Sequence, residues 1–135
     1  HRAAGLMNAS LYSGRDTLIV TSRQLIKDDD PEKSLKIGQV VSASLIEVVR
    51  QIECRPRYLV AKGGITSSDV ATQGLGIKRA MVTGQALPGV PVWKPGSESA
   101  WPDMPYIIFP GNVGEDDALA VIQKQLRSDP EGQSC

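Results

Sequence analysis

The feature that most constrains this chain is an apolar run that stops at two adjacent glycines and continues into a polar run. Residues 58–61 read as a short buried strand, and Gly63 and Gly64 can adopt backbone angles that are closed to residues with a Cβ. A helix is predicted to follow, with Thr66 or Ser67 as its N-cap. This order predicts an anion site, because unpaired amides and the positive end of the helix dipole point the same way.

The same pattern recurs near the end of the chain. Residues 106–109 form a second apolar run, residues 110–114 form a glycine-containing turn, and residues 115–119 open another helix. In a parallel sheet both turns would lie at the carboxyl edge, where open α/β folds bind ligands. Glycines after strands also serve only to make turns, so a structural and a ligand-binding interpretation both remain open.

Bulk composition narrows the possible partners. A chain of 135 residues is large enough for one domain with its own core. With 15 basic and 15 acidic side chains the formal net charge is zero, which argues against nucleic acid or an anionic membrane as a partner. No apolar run approaches the roughly 20 residues of a membrane span. We therefore expect a soluble, cytoplasmic protein.

The chain ends and the cysteines carry further expectations. Cys54 and Cys135 have no paired spacing that would mark zinc, and we expect no disulfide, as in a reducing compartment. The chain begins with His1 and no leader follows, so we expect a part of a longer protein. Residues 1–135 are predicted to form one domain, with residues 129–135 as a disordered tail.

Periodicity predicts an α/β fold: a mixed, mostly parallel sheet flanked by helices. Helices are predicted up to Gly14, over 31–53, from Ser67 to 74–76 and from 115 onward, with additional strands at 16–22 and 77–83. The first of these strands, the helix over 31–53 and the strand at 58–61 are predicted to form a βαβ unit with the helix packed on the sheet.

Three further local patterns carry predictions, and two of them have alternative interpretations. The charged run at 27–30 suggests either a divalent metal or the start of a helix, with Asp30 as cap and proline at the first position. Pro88-Gly89 predicts a type II turn, and Pro91 argues against a central strand. Trp93 and Trp101 suit stacking on a base or anchoring a loop to the core.

Four ordered motifs now carry a resemblance. They are Gly63-Gly64-Ile65-Thr66-Ser67, Gly74-Leu75-Gly76, Pro88-Gly89-Val90-Pro91 and Gly111-Asn112-Val113-Gly114. With them the chain resembles the C-terminal nucleotide-binding domain of the four-carbon acid sugar kinase family, most closely over residues 59–120. The resemblance implies phosphorylation of tetronate, 3-oxo-tetronate or related small hydroxy acids by ATP, with Mg²⁺ expected alongside. It also implies that a preceding N-terminal domain, missing here, carries most of the acid-sugar site.

The resemblance implies particular contacts to ATP. The implied residues are Gly63, Gly64, Ile65, Thr66, Gly111, Asn112 and Gly114. Pro110 replaces the family's usual serine and Val113 its phenylalanine, so a serine hydroxyl contact is lost while the amides of the turn remain. Ile65 stands where relatives often have an acid, which removes any metal or ribose contact by that side chain.

Other candidates have alternative interpretations. Lys62 could neutralise a phosphate or be a solvated rim lysine. Asp116 and Asp117 could hold Mg²⁺ or be first-turn acids favoured by the helix dipole. No residue stands out as the base that activates an acceptor, so we expect the chain alone to be inactive. A non-catalytic nucleotide or anion sensor, or the kinase-like domain of a carbohydrate-metabolising fusion, remains an alternative.

Overall fold

A computed structural model of the chain describes residues 2–21 and 29–127. The helices are α1 (Arg2–Tyr12), α2 (Pro31–Arg50), α3 (Gly64–Asp69) and α4 (Ala118–Arg127), and α3 continues directly into a π-helical segment, Val70–Gly74. The strands are β1 (Leu59–Lys62), β2 (Ala80–Leu87), β3 (Val90–Pro95) and β4 (Tyr106–Phe109). The predicted α/β class with a mixed sheet and flanking helices is confirmed. Within the described ranges, none of the helices combines the length and the apolar character needed to cross a membrane.

The four strands form one sheet in the order β1-β4-β3-β2. β1 and β4 are parallel, with Leu59 opposite Tyr106 and Lys62 opposite Phe109. The β2–β3 and β3–β4 pairs are antiparallel. The sheet is thus mixed but not mostly parallel as predicted, because its parallel part is confined to β1 and β4, the strands that precede the two glycine turns.

Both faces of the sheet are covered. On one face, β1 and β4 contribute Ala61 and Tyr106 to a core with residues of the π-helical segment and Met104. On the other face, Ile107 and Phe109 pack with Ile122 and its neighbours in α4. Since successive strand residues point to opposite faces, the apolar run at 106–109 supplies both cores.

The predicted strand at 16–22 is wrong. Residues 16–21 form no strand, and the side chains of Leu18 and Val20 are 72% and 63% exposed; Ser22 lies outside the described residues. β-Branched residues favour a strand only where they pack on a sheet, and residues 16–21 do not join the sheet, in which β1 pairs with β4. The predicted βαβ unit therefore does not form.

The start of α2 resolves the charged run in favour of a helix start. The Asp30 carboxylate accepts a hydrogen bond of 3.0 Å from the Glu32 amide, and Pro31 occupies the first helical position. Lys27 and Asp28 of the same run lie outside the described residues. The helix ends at Arg50, three residues before the predicted end at Glu53.

The packing of α2 differs from the prediction that it covers the sheet. Val49 packs against the π-helical segment, where its Cγ1 lies 3.1 Å from the place a Cβ on Gly74 would take. Ile46 is the one apolar residue fully buried along α2, and its other apolar positions include the exposed Leu35 and Val40. The sheet face is already covered by α3 and its π-helical continuation, so α2 forms an outer layer.

The β2–β3 hairpin turns at Pro88-Gly89. Gly89 has φ +81°, the backbone conformation that the predicted type II turn requires at its third position. Pro91 lies in β3, which is an inner strand of the sheet, but the position of Pro91 itself is paired on one side only and is not central, as its proline predicts. Pro91 is tolerated because it pairs only with Gln85 of β2, and the pairing of β3 with β4 begins at Val92.

Two further predictions concern aromatic side chains and cysteines. Trp93 and Trp101 pack against the core on the α3 face, which agrees with an anchoring role. Cys54 forms a disulfide, so the prediction that there is none is wrong at this residue; Cys135 lies outside the described residues, as does the tail predicted at 129–135. A disulfide depends on the tertiary proximity of two cysteines, for which the sequence spacing carries no signal.

We expect Tyr106→Phe to lower the free energy of unfolding by about 1 kcal/mol, because the buried phenol donates a 2.6 Å hydrogen bond to the Ser67 carbonyl. Urea unfolding of both proteins measures the change. Tyr12→Phe is the matched control, since its exposed phenol bonds the Glu53 carboxylate, and it should shift stability by less than about 0.5 kcal/mol. Equal losses in the two variants would contradict the expectation.

Candidate functional site

The first glycine turn leaves the end of β1 and starts α3. Gly63 is the N-cap, with φ +103°, and its amide donates a 2.8 Å hydrogen bond to the Phe109 carbonyl at the end of β4. The Ser67 amide makes the first bond of the helix, to the Gly63 carbonyl at 2.9 Å. By helix geometry the amides of residues 64–66 then have no acceptor within the helix.

The helix thus begins earlier than predicted, and Thr66 and Ser67 lie inside its first turn rather than at the cap. The Ser67 hydroxyl shares its one proton between the carbonyls of Ala61 and Gly63, at 2.9 and 2.6 Å. The Tyr106 hydroxyl donates to the Ser67 carbonyl, and burial raises the pKa of Tyr106, so that the phenol stays protonated as a donor. The base of this turn is held to both parallel strands.

The second glycine turn joins β4 to α4. Gly114 has φ +88°, and a Cβ there would lie 2.7 Å from the Ala118 Cβ and 3.3 Å from Cζ of Phe109. Gly114 is therefore required by the backbone and by close packing. Gly111 has neither constraint, because a Cβ on it would meet nothing within 4 Å. The glycine at 111 leaves open space beside the backbone.

The two turns lie next to each other at one edge of the sheet. Their strands are parallel neighbours in register, and the Gly63–Phe109 hydrogen bond joins the first turn to the end of β4, from which the second turn leaves. Both turns are open to solvent: a Cβ on Gly64, as on Gly111, would meet nothing within 4 Å, and Ile65 is 79% exposed. The predicted placement at a shared carboxyl edge is what the strand pairing produces.

A cleft of about 340 Å³ opens beside the second turn. It is lined by Lys62, Phe109, residues 111–116, Ala118 and Leu119. Three of the predicted contact residues, Gly111, Asn112 and Gly114, line this cleft. The other four, residues 63–66, lie at the adjoining turn, on the α3 side of the end of β1, and are not part of the cleft lining.

The predicted acidic candidates separate in the structure. Asp116 lines the cleft together with Glu115, whereas Asp117 does not. The Asp117 carbonyl accepts the amide of Val121 at 3.0 Å, in the first turn of α4. Over residues 2–21 and 29–127, no group of three or more histidine, cysteine or acidic side chains could hold a metal by itself.

Sequence reasoning missed the part played by Phe109. Its ring lies 5.4 Å from the Lys62 ammonium and also packs against the backbone at Gly114. Side chains alternate between the two faces of each strand, but which residues of β1 and β4 share a face depends on the register between the strands. That Lys62 and Phe109 lie on one face therefore follows from the register. The register was not available from the apolar pattern, so the sequence carried no usable signal for this contact.

Comparison with known proteins identifies the domain. The family of nucleotide-binding C-terminal domains matches residues 1–119. The chain belongs to this family. The match confirms the resemblance drawn from the four motifs. The description of the family gives nucleotide binding as the property of this domain.

Solved structures share the fold of the domain. A Bordetella bronchiseptica protein, a domain of unknown function (DUF1537) with bound citrate in a domain-swapped dimer, is 20% identical over 94% of this chain, with a TM-score of 0.60. A Haemophilus influenzae protein of the same family is 19% identical over 93% of this chain, with a TM-score of 0.56. The domain spans only 37% and 31% of those chains. No curated protein matches it in sequence.

The different constraints on the two glycines of the second turn predict different stabilities. Gly114→Ala should lower the free energy of unfolding by about 2 kcal/mol or more, because it places a Cβ in a left-handed backbone and against Ala118. Gly111→Ala should be neutral or stabilising, by up to about 1 kcal/mol. Urea unfolding of the two variants measures this; a cost at 111 as large as at 114 would show that the space beside Gly111 is not open.

Proposed function

We propose that this domain binds ATP and is the nucleotide-binding part of a kinase for four-carbon acid sugars, such as tetronate, 3-oxo-tetronate or related small hydroxy acids. The observation that carries the proposal is the pair of glycine turns that leave adjacent parallel strands at one edge of the sheet, where the Gly63 amide bonds the Phe109 carbonyl at the end of β4. Family membership supports a nucleotide as the ligand. The choice of ATP and of the acceptor goes beyond it and rests on the four motifs.

The chemistry of phosphoryl transfer suits this arrangement. Charge develops on phosphate oxygens, and catalysis consists mainly of holding those oxygens in place and stabilising their charge. The free amides of residues 64–66 at the first turn can bind such oxygens. The amides of Gly111, Asn112 and Gly114 make no hydrogen bond among the described residues and can do the same at the second turn. In this proposal Gly64 and Gly111 let the phosphates approach the backbone.

Mg²⁺ fits the residues around the second turn. It binds through phosphate oxygens, water and one or two carboxylates rather than through a complete protein cage. Asp116 and Glu115, which line the cleft with the glycine turn, would be its protein ligands. When bound with ATP, Mg²⁺ would neutralise charge on the phosphates.

The acceptor site and the catalytic base are proposed to lie outside this chain. The domain spans about a third of the length of the solved relatives, 37% and 31%, and its family is one of C-terminal domains, which is compatible with the proposed N-terminal domain that binds most of the acid sugar. Citrate, a small hydroxy acid bound to the Bordetella relative, belongs to the chemical class of the proposed acceptor. We accordingly propose that the chain alone does not turn over a tetronate and that the complete kinase acts in the cytoplasm.

Calorimetric titration of the chain with ATP, with and without Mg²⁺, tests the binding step. We expect Gly64→Val and Gly111→Val each to weaken ATP binding at least about tenfold, since a branched side chain fills the space through which phosphate approaches the backbone. Gly5→Val is the matched control: it also meets nothing within 4 Å, but it lies in α1 and should leave the affinity unchanged. Unchanged affinity in both turn variants would remove these turns from the site.

The catalytic step needs a separate assay. With the upstream sequence of the parent protein restored, ATP-dependent phosphorylation of a tetronate is expected, and Gly64→Val should reduce it. Retained ATP binding without any phosphorylation of small hydroxy acids would instead favour a non-catalytic nucleotide sensor. Turnover of a tetronate by the 135-residue chain alone would contradict the proposed division of labour.

A further inference from the structure

Lys62 is placed beside the second turn by one aromatic ring. It is the last residue of β1, and its ammonium lies 5.4 Å from the centre of the Phe109 ring. Cζ of the same ring lies 3.3 Å from the position that a Cβ on Gly114 would take. The lysine and the Gly114 backbone therefore pack against one ring, and both line the same cleft.

The charge of Lys62 is not neutralised by its neighbours. Glu115 and Asp116 line the cleft with it, yet neither forms a salt bridge to it. Of the described residues that line the cleft, Lys62 is the one with a cationic side chain. The side chain is exposed, and its attraction to the ring is of the weak kind found at solvent-accessible sites. The ammonium can therefore donate hydrogen bonds to an anion that enters the cleft.

The position of the ammonium suits phosphate in particular. Lysine recognises phosphate as a compact charge with three donors, and it is most effective where main-chain amides bind the same group. The amides of Gly111, Asn112 and Gly114 make no hydrogen bond among the described residues. The Phe109 ring restricts where the flexible lysine goes before a ligand arrives, which reduces the conformational entropy lost on binding.

We infer that Lys62 binds the phosphate group of the nucleotide that occupies the Gly111–Gly114 turn. Lys62 is the last residue of β1, so the strand that leads into the first turn would then contact the ligand bound at the second turn. The inference rests on the proposed ATP-binding function. It assigns to Lys62 a direct contact with the phosphate chain. The adenosine part of the ligand lies outside the reach of this contact.

Lys62→Met tests the inference, because methionine keeps an apolar stem over Phe109 and removes the charge. Calorimetry with ATP should show about tenfold weaker binding, in line with the loss of a charge-assisted hydrogen bond at an exposed site. Titration with adenosine should give equal affinities for the two proteins. The ATP difference should shrink as salt is raised, since the contact is between exposed charges.

Two controls separate charge from structure. Lys62→Arg keeps the positive charge and should recover most of the ATP affinity. Lys94→Met removes an exposed lysine of β3. Lys94 pairs with Met81 of β2 and follows the residue that pairs with the start of β4, at the end of that strand opposite to the glycine turns, so this variant should bind ATP like the unmodified chain. The double variant Lys62→Met with Gly111→Val should lose ATP affinity by a smaller factor than the product of the two single losses, because both changes act on one phosphate.

The outcomes separate this inference from the proposed function. If Gly111→Val weakens ATP binding and Lys62→Met does not, the turns bind ATP and the inference about Lys62 is wrong. Equal weakening for ATP and adenosine in Lys62→Met would also overturn it, because the lysine would then act through the fold. If the folded, unmodified chain binds no ATP, the proposed function fails and the inference fails with it.

Discussion

The parallel pairing of β1 with β4 is the interaction on which the site depends. Its register places Lys62 opposite Phe109, so both strands end at the same level and both glycine turns start side by side. The Gly63 amide then extends the pairing by one hydrogen bond, from the first turn to the end of β4. A slip of one residue would send the Lys62 side chain to the other face, because strand side chains alternate.

The turns combine a fixed base with an open outer surface. Beneath the first turn, the Ser67 hydroxyl and the Tyr106 phenol bond to neighbouring carbonyls in the core. In the second turn, Gly114 fits between Phe109 and Ala118 with no space for a side chain. The backbone is thereby held in place without side chains that cover it, which is the form of preorganisation that anion binding at main-chain amides requires.

Different constraints act on the glycines of the two turns. Gly63 and Gly114 have left-handed backbones, and their identity follows from the shape of the turns. Gly64 and Gly111 face open space and have no left-handed backbone that would explain the missing side chain. A structural interpretation accounts for the first pair, and the proposed ligand accounts for the second. The two interpretations that the sequence left open thus apply to different residues of the same turns.

The sequence by itself determined which segments end in glycine turns and which strands are apolar on both faces. The start of α2 at Asp30-Pro31, the apolar run at 106–109 and the four motifs of the family were all readable, because caps, periodicity and turn chemistry act over a few residues. Long-range pairing was not readable. Residues 16–21 look like a strand but do not join the sheet, and Pro91 looks like an edge residue but lies in an inner strand. Only the tertiary structure decided that β1 pairs with β4, and hence that Lys62, Phe109 and the second glycine turn meet, because the partner of a strand is chosen by the packing of the whole sheet.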